Sequence, residues 1–308
     1  MSMTSLLRSS SYTKKFLKTN LPLAEKLIKC INADLDTLPY IDVLPAETPG
    51  HIYGWVGTAF DYRARYYLKV TPYSGLMAHG GGKEFASNKQ FGVNLNRWMR
   101  KAVRGKSLLS DSTERKVCLL CLLLAKLEVL GRSSMWASGA ELIGGGHYKV
   151  ISNALSNGNI ESILKLLEKS YPKEVVEDLM GLSREFQKNV SSWKIDWVCL
   201  NPIFPGSGDV GGADADLIVN STLIEIKCKK RKLSINDLFQ VIGYKLLDYN
   251  DSYGIEMVAL YLGRWGKLEV FDFKKLILGL GSPYKIRDFR KNFRQAIAKD
   301  VPTNDFGF

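Results

Sequence analysis

Four charged residues punctuate one short apolar stretch of the chain: Asp214, Asp216, Glu225 and Lys227, within GGADADLIVNSTLIEIKCKK (residues 211 to 230). The runs DLIV and TLIEIK are rich in β-branched residues, and the polar pair Asn220-Ser221 divides them, which predicts a β-hairpin. With that turn, Asp216 faces Glu225 and Asp214 faces Lys227. Side chains alternate along a strand, so all four project from one face. Directly opposed carboxylates repel, and charges drawn into apolar surroundings need a partner or a metal. Carboxylate oxygens are hard ligands of the kind Mg²⁺ and Mn²⁺ take. Divalent-cation binding is the chemistry expected here, against the plainer reading of a surface hairpin with ordinary ion pairs.

The next element has its own signal. SINDLFQVIGYKLLDY opens on Ser234 with Asp237 three residues later, a helix start. Ile235, Leu238, Ile242, Leu246 and Tyr249 follow at helical spacing. Gln240 and Tyr244, at i and i+4, share a neighbouring face.

Together these motifs resemble the PD-(D/E)xK nuclease superfamily, whose signature is an Asp followed by Glu-x-Lys on the next strand. Gln240 and Tyr244 resemble the Q-x-x-x-Y element of its RecB-like branch. Upstream, GTAFDYRARYYL (Gly57 to Leu68) is similar to the branch's G-x-x-x-H element, except that Asp61 stands where the motif carries His. The resemblance implies metal-dependent hydrolysis of phosphodiester bonds. Asp216 and Glu225 would hold Mg²⁺ or Mn²⁺ with the Ile226 carbonyl, and Asp61 would stand at the metal's edge. Lys227 would orient or help deprotonate the attacking water, and Gln240 and Tyr244 would position the lysine or the backbone. Asp214 would be a spare ligand or hold Lys227, and Glu185, on the helix before the first strand, a further acid. DNA is the expected substrate, with RNA not separated from it and a DNA-processing or anti-phage role open. A homo-oligomer and an ATPase or helicase partner also stay open. The alternative is a non-cleaving nucleic-acid-binding or scaffold protein on the same fold.

The bulk properties agree with a polyanionic partner. The 308 residues include 43 basic and 31 acidic ones, a net charge of +12, and sequence-independent phosphate binding is largely electrostatic. One cluster, Lys229, Lys230, Arg231 and Lys232, directly follows the hairpin and is the expected nucleic-acid contact. A second runs from Lys285 to Lys299, where Phe289 and Phe293 at i and i+4 read as a packed apolar stripe.

Cys30, Cys118, Cys121, Cys199 and Cys228 are odd in number and mostly in apolar surroundings, which suggests a reducing, cytoplasmic setting. Some members of the RecB-like branch hold an iron–sulfur cluster with one early cysteine and several after the Gln-Tyr element; no cysteine follows Tyr244 here, so the resemblance implies no such cluster. KVCLLCLLLAKLEVL is too short to span a bilayer, and no membrane partner is expected. The glycine-rich HGGGK (His79 to Lys83) and GGGH (Gly144 to His147) lack phosphate-loop spacing and read as flexible loops. The first 24 residues contain no acid and are expected to be frayed or partly helical.

These elements need a scaffold. The N-terminal half reads as mainly helical, with candidates at Tyr12 to Leu35, Gly57 to Lys69, Lys83 to Val103 and Asp111 to Leu130. The second half runs helix, strand, strand, strand, helix, strand. That order fits an α/β fold with a mixed sheet, a restriction-endonuclease-like αβββαβ core. The expected division is residues 1–155, helical and supplying Gly57 and Asp61, and residues 156–308, the core.

Overall fold

The structure, a computed structural model, describes residues 2–69, 71–83, 88–103, 108–133, 149–153, 155, 159–212 and 215–300. Helices come first: α1 (Met3–Arg8), α2 (Tyr12–Asn20), α3 (Ala24–Leu35), α4 (Gly50–Leu68), α5 (Ala78–Gly82), α6 (Asn88–Val103), α7 (Asp111–Ser133), α8 (Ile160–Ser170) and α9 (Lys173–Val190). Strands β1 (Val198–Leu200), β2 (Leu217–Val219) and β3 (Thr222–Lys227) follow. Then come α10 (Ile235–Leu247), β4 (Met257–Leu262), β5 (Lys267–Asp272), α11 (Phe273–Gly279) and α12 (Ile286–Asp300).

The fold is the expected mixed α/β type, with the helices concentrated in the N-terminal half. Strand order is β1-β2-β3-β4-β5. β3 and β4 are parallel, joined by the α10 crossover, and the other neighbours are antiparallel. β2 and β4 are almost entirely buried, which their apolar runs require.

The chain forms two compact units, and neither is a contiguous half. One contains residues up to Pro39, Lys194–Lys227 and everything from Arg231; the other contains Tyr40–Trp193 and Cys228–Lys230. This departs from a boundary near residue 155. Apolar stripes decide the membership: Leu6, Leu7, Leu17 and Ile28 join one core with Leu238, Ile242, Phe289 and Phe293. Amphipathicity shows that a helix has a partner but not which one. The N-terminal residues, expected to be frayed or partly helical, form α1 and α2, with Leu6 and Leu17 fully buried. Gly243 permits this packing, since an added Cβ would stand 3.0 Å from the Met3 sulfur.

Several boundaries moved for physical reasons. The expected helix Tyr12–Leu35 is two, α2 and α3, broken at Leu21-Pro22-Leu23, because proline disfavours helix at itself and before it. α4 begins at Gly50, seven residues before the expected start, with Trp55 and Val56 buried; packing overrides the helix cost of its glycines. α7 begins at Asp111 as expected, with Ser110 Oγ accepting from Thr113 N–H at 3.4 Å. His79–Gly82, read as a loop, lies in the short helix α5, where the His79 ring packs edge-on against Tyr73. Gly144–His147 falls outside the described residues. Phe289 and Phe293 are buried as expected, both packing on Phe16. Cys118 and Cys121 are buried within α7. Among the described residues, no helix is long and apolar enough to cross a membrane.

Candidate active site

The hairpin has the expected register, with Leu217 opposite Ile224 and Val219 opposite Thr222. Asn220 makes the turn in the left-handed region, φ 53°, which Asn tolerates. Its side chain does further work: Oδ1 accepts from the Asp196 and Trp197 N–H groups at 3.0 Å, and Nδ2 donates to the Lys194 carbonyl at 2.8 Å. The turn is thereby tied to the entry of β1.

The ladder stops at Leu217. Beyond it the chain stays with β1's continuation, the Asn201 N–H donating to the Asp216 carbonyl at 3.1 Å, and leaves β3. The Asp216 carboxylate fills the fork so formed, accepting from the Ile226 N–H at 2.6 Å. The carboxylate of Asp216 thus reaches one residue past the ladder position expected for it, to the peptide that joins Glu225 to Ile226. Asp214 lies outside the described residues.

Glu225 is only 4% exposed. Its Oε1 accepts from Lys227 Nζ at 2.8 Å, the two side chains sharing a face two residues apart on β3. Lys227 Nζ also donates to Gln240 Oε1 at 2.9 Å, and Gln240 Nε2 donates to the Tyr244 hydroxyl at 2.9 Å. The i, i+4 pair on α10 therefore forms one line of hydrogen bonds ending on the lysine. Tyr244 in turn stacks on Phe204, ring centroids 6.3 Å apart. Burial alone would lower the pKa of Lys227. Glu225 first, then Asp216, and more distantly Asp237 outweigh it and hold the pKa above the ordinary lysine value.

Two residues here escaped sequence reasoning. Thr4 Oγ1 accepts from Gln240 Nε2 at 3.4 Å, and nothing in a chain separation of this length signals it. Asp237 was legible only as a helix cap, which it is: its Oδ2 accepts from both the N–H and the hydroxyl of Ser234 at 2.6 Å. Its charge on Lys227 depends on how α10 crosses the sheet.

The other sequence candidates have local partners. Asp61, on α4, pairs with Arg65 one turn on and belongs to the helical unit. Gly57 packs beside the segment after β3; an added Cβ would stand 3.9 Å from the Cys228 Cβ. Glu185, on α9, is bonded to Lys188 at 3.2 Å and Asn189, both on its own helix. In the basic cluster, Lys230 donates to the Ala46 carbonyl at 3.1 Å and lies over the Tyr53 ring. Lys232 is bound to Asn32 and Asp36. Arg231 is exposed. The cluster is therefore not a continuous free cationic surface.

The donor set suits a hard divalent cation. The Asp216 carboxylate reaches the Ile226 N–H, the Asp216 and Glu225 charges both act on Lys227, and the carbonyl of Ile226, in the following peptide, would be a third hard oxygen. Mg²⁺ uses one or two carboxylates and keeps water and phosphate for the rest. Among the described residues there is no cluster of three or more His, Cys, Asp or Glu side chains, so the set is a lean one.

No protein-family model, curated protein or solved structure matches the chain. The functional reading therefore rests on the residues themselves.

Proposed function

We propose that the protein is a metal-dependent nuclease that hydrolyses phosphodiester bonds, with DNA the first substrate to test. The observation that carries the reading is the line Lys227–Gln240–Tyr244, which joins a strand lysine to a helix pair at 2.9 Å each. An isolated surface ion pair needs no such support from a second element. Asp216 and Glu225, with the Ile226 carbonyl, would hold Mg²⁺ or Mn²⁺, which supplies stabilisation of negative charge on the phosphoryl oxygens. Lys227 has an Nζ proton for the attacking water or the developing oxyanion. Gln240 fixes where that ammonium sits, Tyr244 and Thr4 fix Gln240, and burial of Glu225 keeps competing water off the pair.

The test is incubation with linear, circular and single-stranded DNA and with RNA, in Mg²⁺, Mn²⁺ or EDTA. Metal-dependent cleavage is expected, and is lost in Asp216→Ala and in Glu225→Ala. No cleavage of any substrate in either metal would leave a non-cleaving nucleic-acid-binding protein. Metal binding can be followed separately. At ten times its Kd, a cation specific to the folded state adds about 1.4 kcal/mol, so the melting temperature should rise in Mg²⁺. That rise should vanish in Asp216→Ala, and its persistence there would move the metal elsewhere.

Tyr244→Phe tests the supporting line. Removing the hydroxyl takes one hydrogen bond from Gln240, worth about 1 kcal/mol. A fall of about fivefold in kcat with KM unchanged is expected. Unchanged kcat would mean that Thr4 alone suffices to hold Gln240.

A further inference from the structure

α12 carries a second feature. Arg287, Arg290, Lys291 and Arg294 fall at i, i+3, i+4 and i+7, hence on one face. The opposite face, Phe289, Phe293 and Ile297, is buried and fixes the rotation of the helix. The cationic face lines an open groove of about 530 Å³, with Tyr249 as the facing aromatic. Like charges at i and i+4 destabilise a helix by about 0.2–0.5 kcal/mol per pair, and this face has two such pairs, Arg287–Lys291 and Arg290–Arg294.

The facing wall fixes two of the four cations. Asp251 accepts from Arg290 at 2.6 and 3.0 Å. Asp209 lies 3.5 Å from Arg294 and accepts from the Tyr249 hydroxyl at 2.7 Å. The Arg294 guanidinium lies 4.7 Å from the centre of the Tyr249 ring. That ring packs on Gly206, where an added Cβ would come within 2.5 Å of it. Arg287 and Lys291 are exposed and have no ion pair among the described residues. Two oriented arginines thus frame two cations free for an outside anion. From residue 287 to 294 the helix rises roughly 10 Å, about the axial length of three phosphates on one strand of a duplex. That length suits a polyanion better than a single phosphate.

We propose that this groove is a phosphodiester-backbone site, along which nucleic acid lies outside the catalytic residues. It is built from the same segments: Tyr249 lies two residues beyond α10, which carries Gln240 and Tyr244, and Asp209 lies in the turn that leads to Asp216. The proposal rests on the nuclease reading only for the identity of the polyanion. It also moves the principal contact away from Lys230 and Lys232, which are bound elsewhere.

The test uses the full chain in EDTA, with a short fluorescent DNA duplex, the corresponding single strand, an RNA and, as a separate arm, phosphatidylserine vesicles, each titrated across salt concentrations. In Arg287→Gln/Lys291→Gln, affinity should fall about tenfold at physiological salt. The slope of log K against log salt should flatten by about 1.8 for the duplex and about 1.4 for the single strand. An unchanged melting temperature establishes that the exposed substitutions leave the fold intact. Wild-type affinity and slope in the double variant overturn the proposal, as does absence of nucleic-acid binding by the parent chain. So does loss of binding confined to phosphatidylserine vesicles, which would make the groove a membrane-surface site. Cleavage separates the two readings. Groove-dependent binding without cleavage in Mg²⁺ or Mn²⁺ sinks the nuclease and keeps the groove; intact cleavage with unchanged binding sinks the groove alone.

Discussion

Lys227→Ala is expected to reduce phosphodiester cleavage by about a thousandfold, within the range for a positioned proton-transfer group, while nucleic-acid affinity stays within about twofold. The asymmetry follows from where the ammonium sits. Lys227 is nearly buried between Glu225 and Gln240, so it is a minor part of the surface field that a +12 chain presents. Its removal also releases Glu225, whose buried carboxylate would otherwise share the ammonium's charge. Lys227→Arg should not rescue cleavage, because the planar guanidinium does not reproduce a single Nζ held by two acceptors. Single-turnover cleavage in Mg²⁺ and anisotropy in EDTA separate the effects. Equal losses in both would make Lys227 a binding residue, and full activity would remove it from the chemistry.

Arg63→Met is expected to cost about 3–5 kcal/mol of stability, the range for breaking a buried ion pair. Arg63 on α4 and Glu114 on α7 are each 2% exposed. They meet through two bonds, Nε to Oε1 at 2.7 Å and Nη2 to Oε2 at 2.8 Å. Ser183 and Gln187 on α9 donate to the same carboxylate at 2.6 and 3.1 Å. One carboxylate therefore joins three helices, and without Arg63 it is left buried as an uncompensated charge. Arg63→Met/Glu114→Leu should recover part of the loss, since an apolar pair replaces both charges while Ser183 and Gln187 lose their shared acceptor. Urea midpoints followed by far-UV circular dichroism measure both variants; a loss under about 1 kcal/mol in the single variant would contradict the account. The pair also sets a pH dependence. Burial alone would raise the Glu114 pKa, but Arg63, then Ser183 and Gln187, lower it below the ordinary carboxyl range. A depressed pKa means the contribution is complete above the unfolded value, about 4.3 for Glu. It is lost as the pH falls below that and through the folded value.

What the chain made legible was local. The hairpin register, the α10 cap and the i, i+4 relation of Gln240 and Tyr244 all follow from rules spanning a few residues. The fork at Leu217 did not, because a strand's departure from its ladder depends on its other neighbour, here β1. The Gln240–Lys227 contact is an intermediate case: spacing placed each residue on its element, but only the crossing of α10 over β3 made them meet. The Arg63–Glu114 pair had no signal, since its partners lie on separate helices and charged residues are ordinarily exposed. The basic run after β3 illustrates the converse. Four adjacent cations look like one patch in sequence, yet Lys230 and Lys232 are bound to different segments.

The division of the chain bears on the order in which a nascent polypeptide can acquire structure. Residues from Tyr40 to Trp193 form most of one unit without interruption, whereas the sheet unit draws on the first helices and on everything after Arg231. During synthesis the N-terminal portions emerge first, so α1 to α3 leave the ribosome with apolar stripes whose partners, Leu238, Phe289 and Phe293, are still to be made. The helical unit can close first, and the three early helices must wait. Each doubling of the loop so closed adds only about 0.6 kcal/mol, so the delay exacts little in stability. Its burden is kinetic: a period in which Leu6, Leu7 and Leu17 are exposed, and a point at which holding chaperones would find a client.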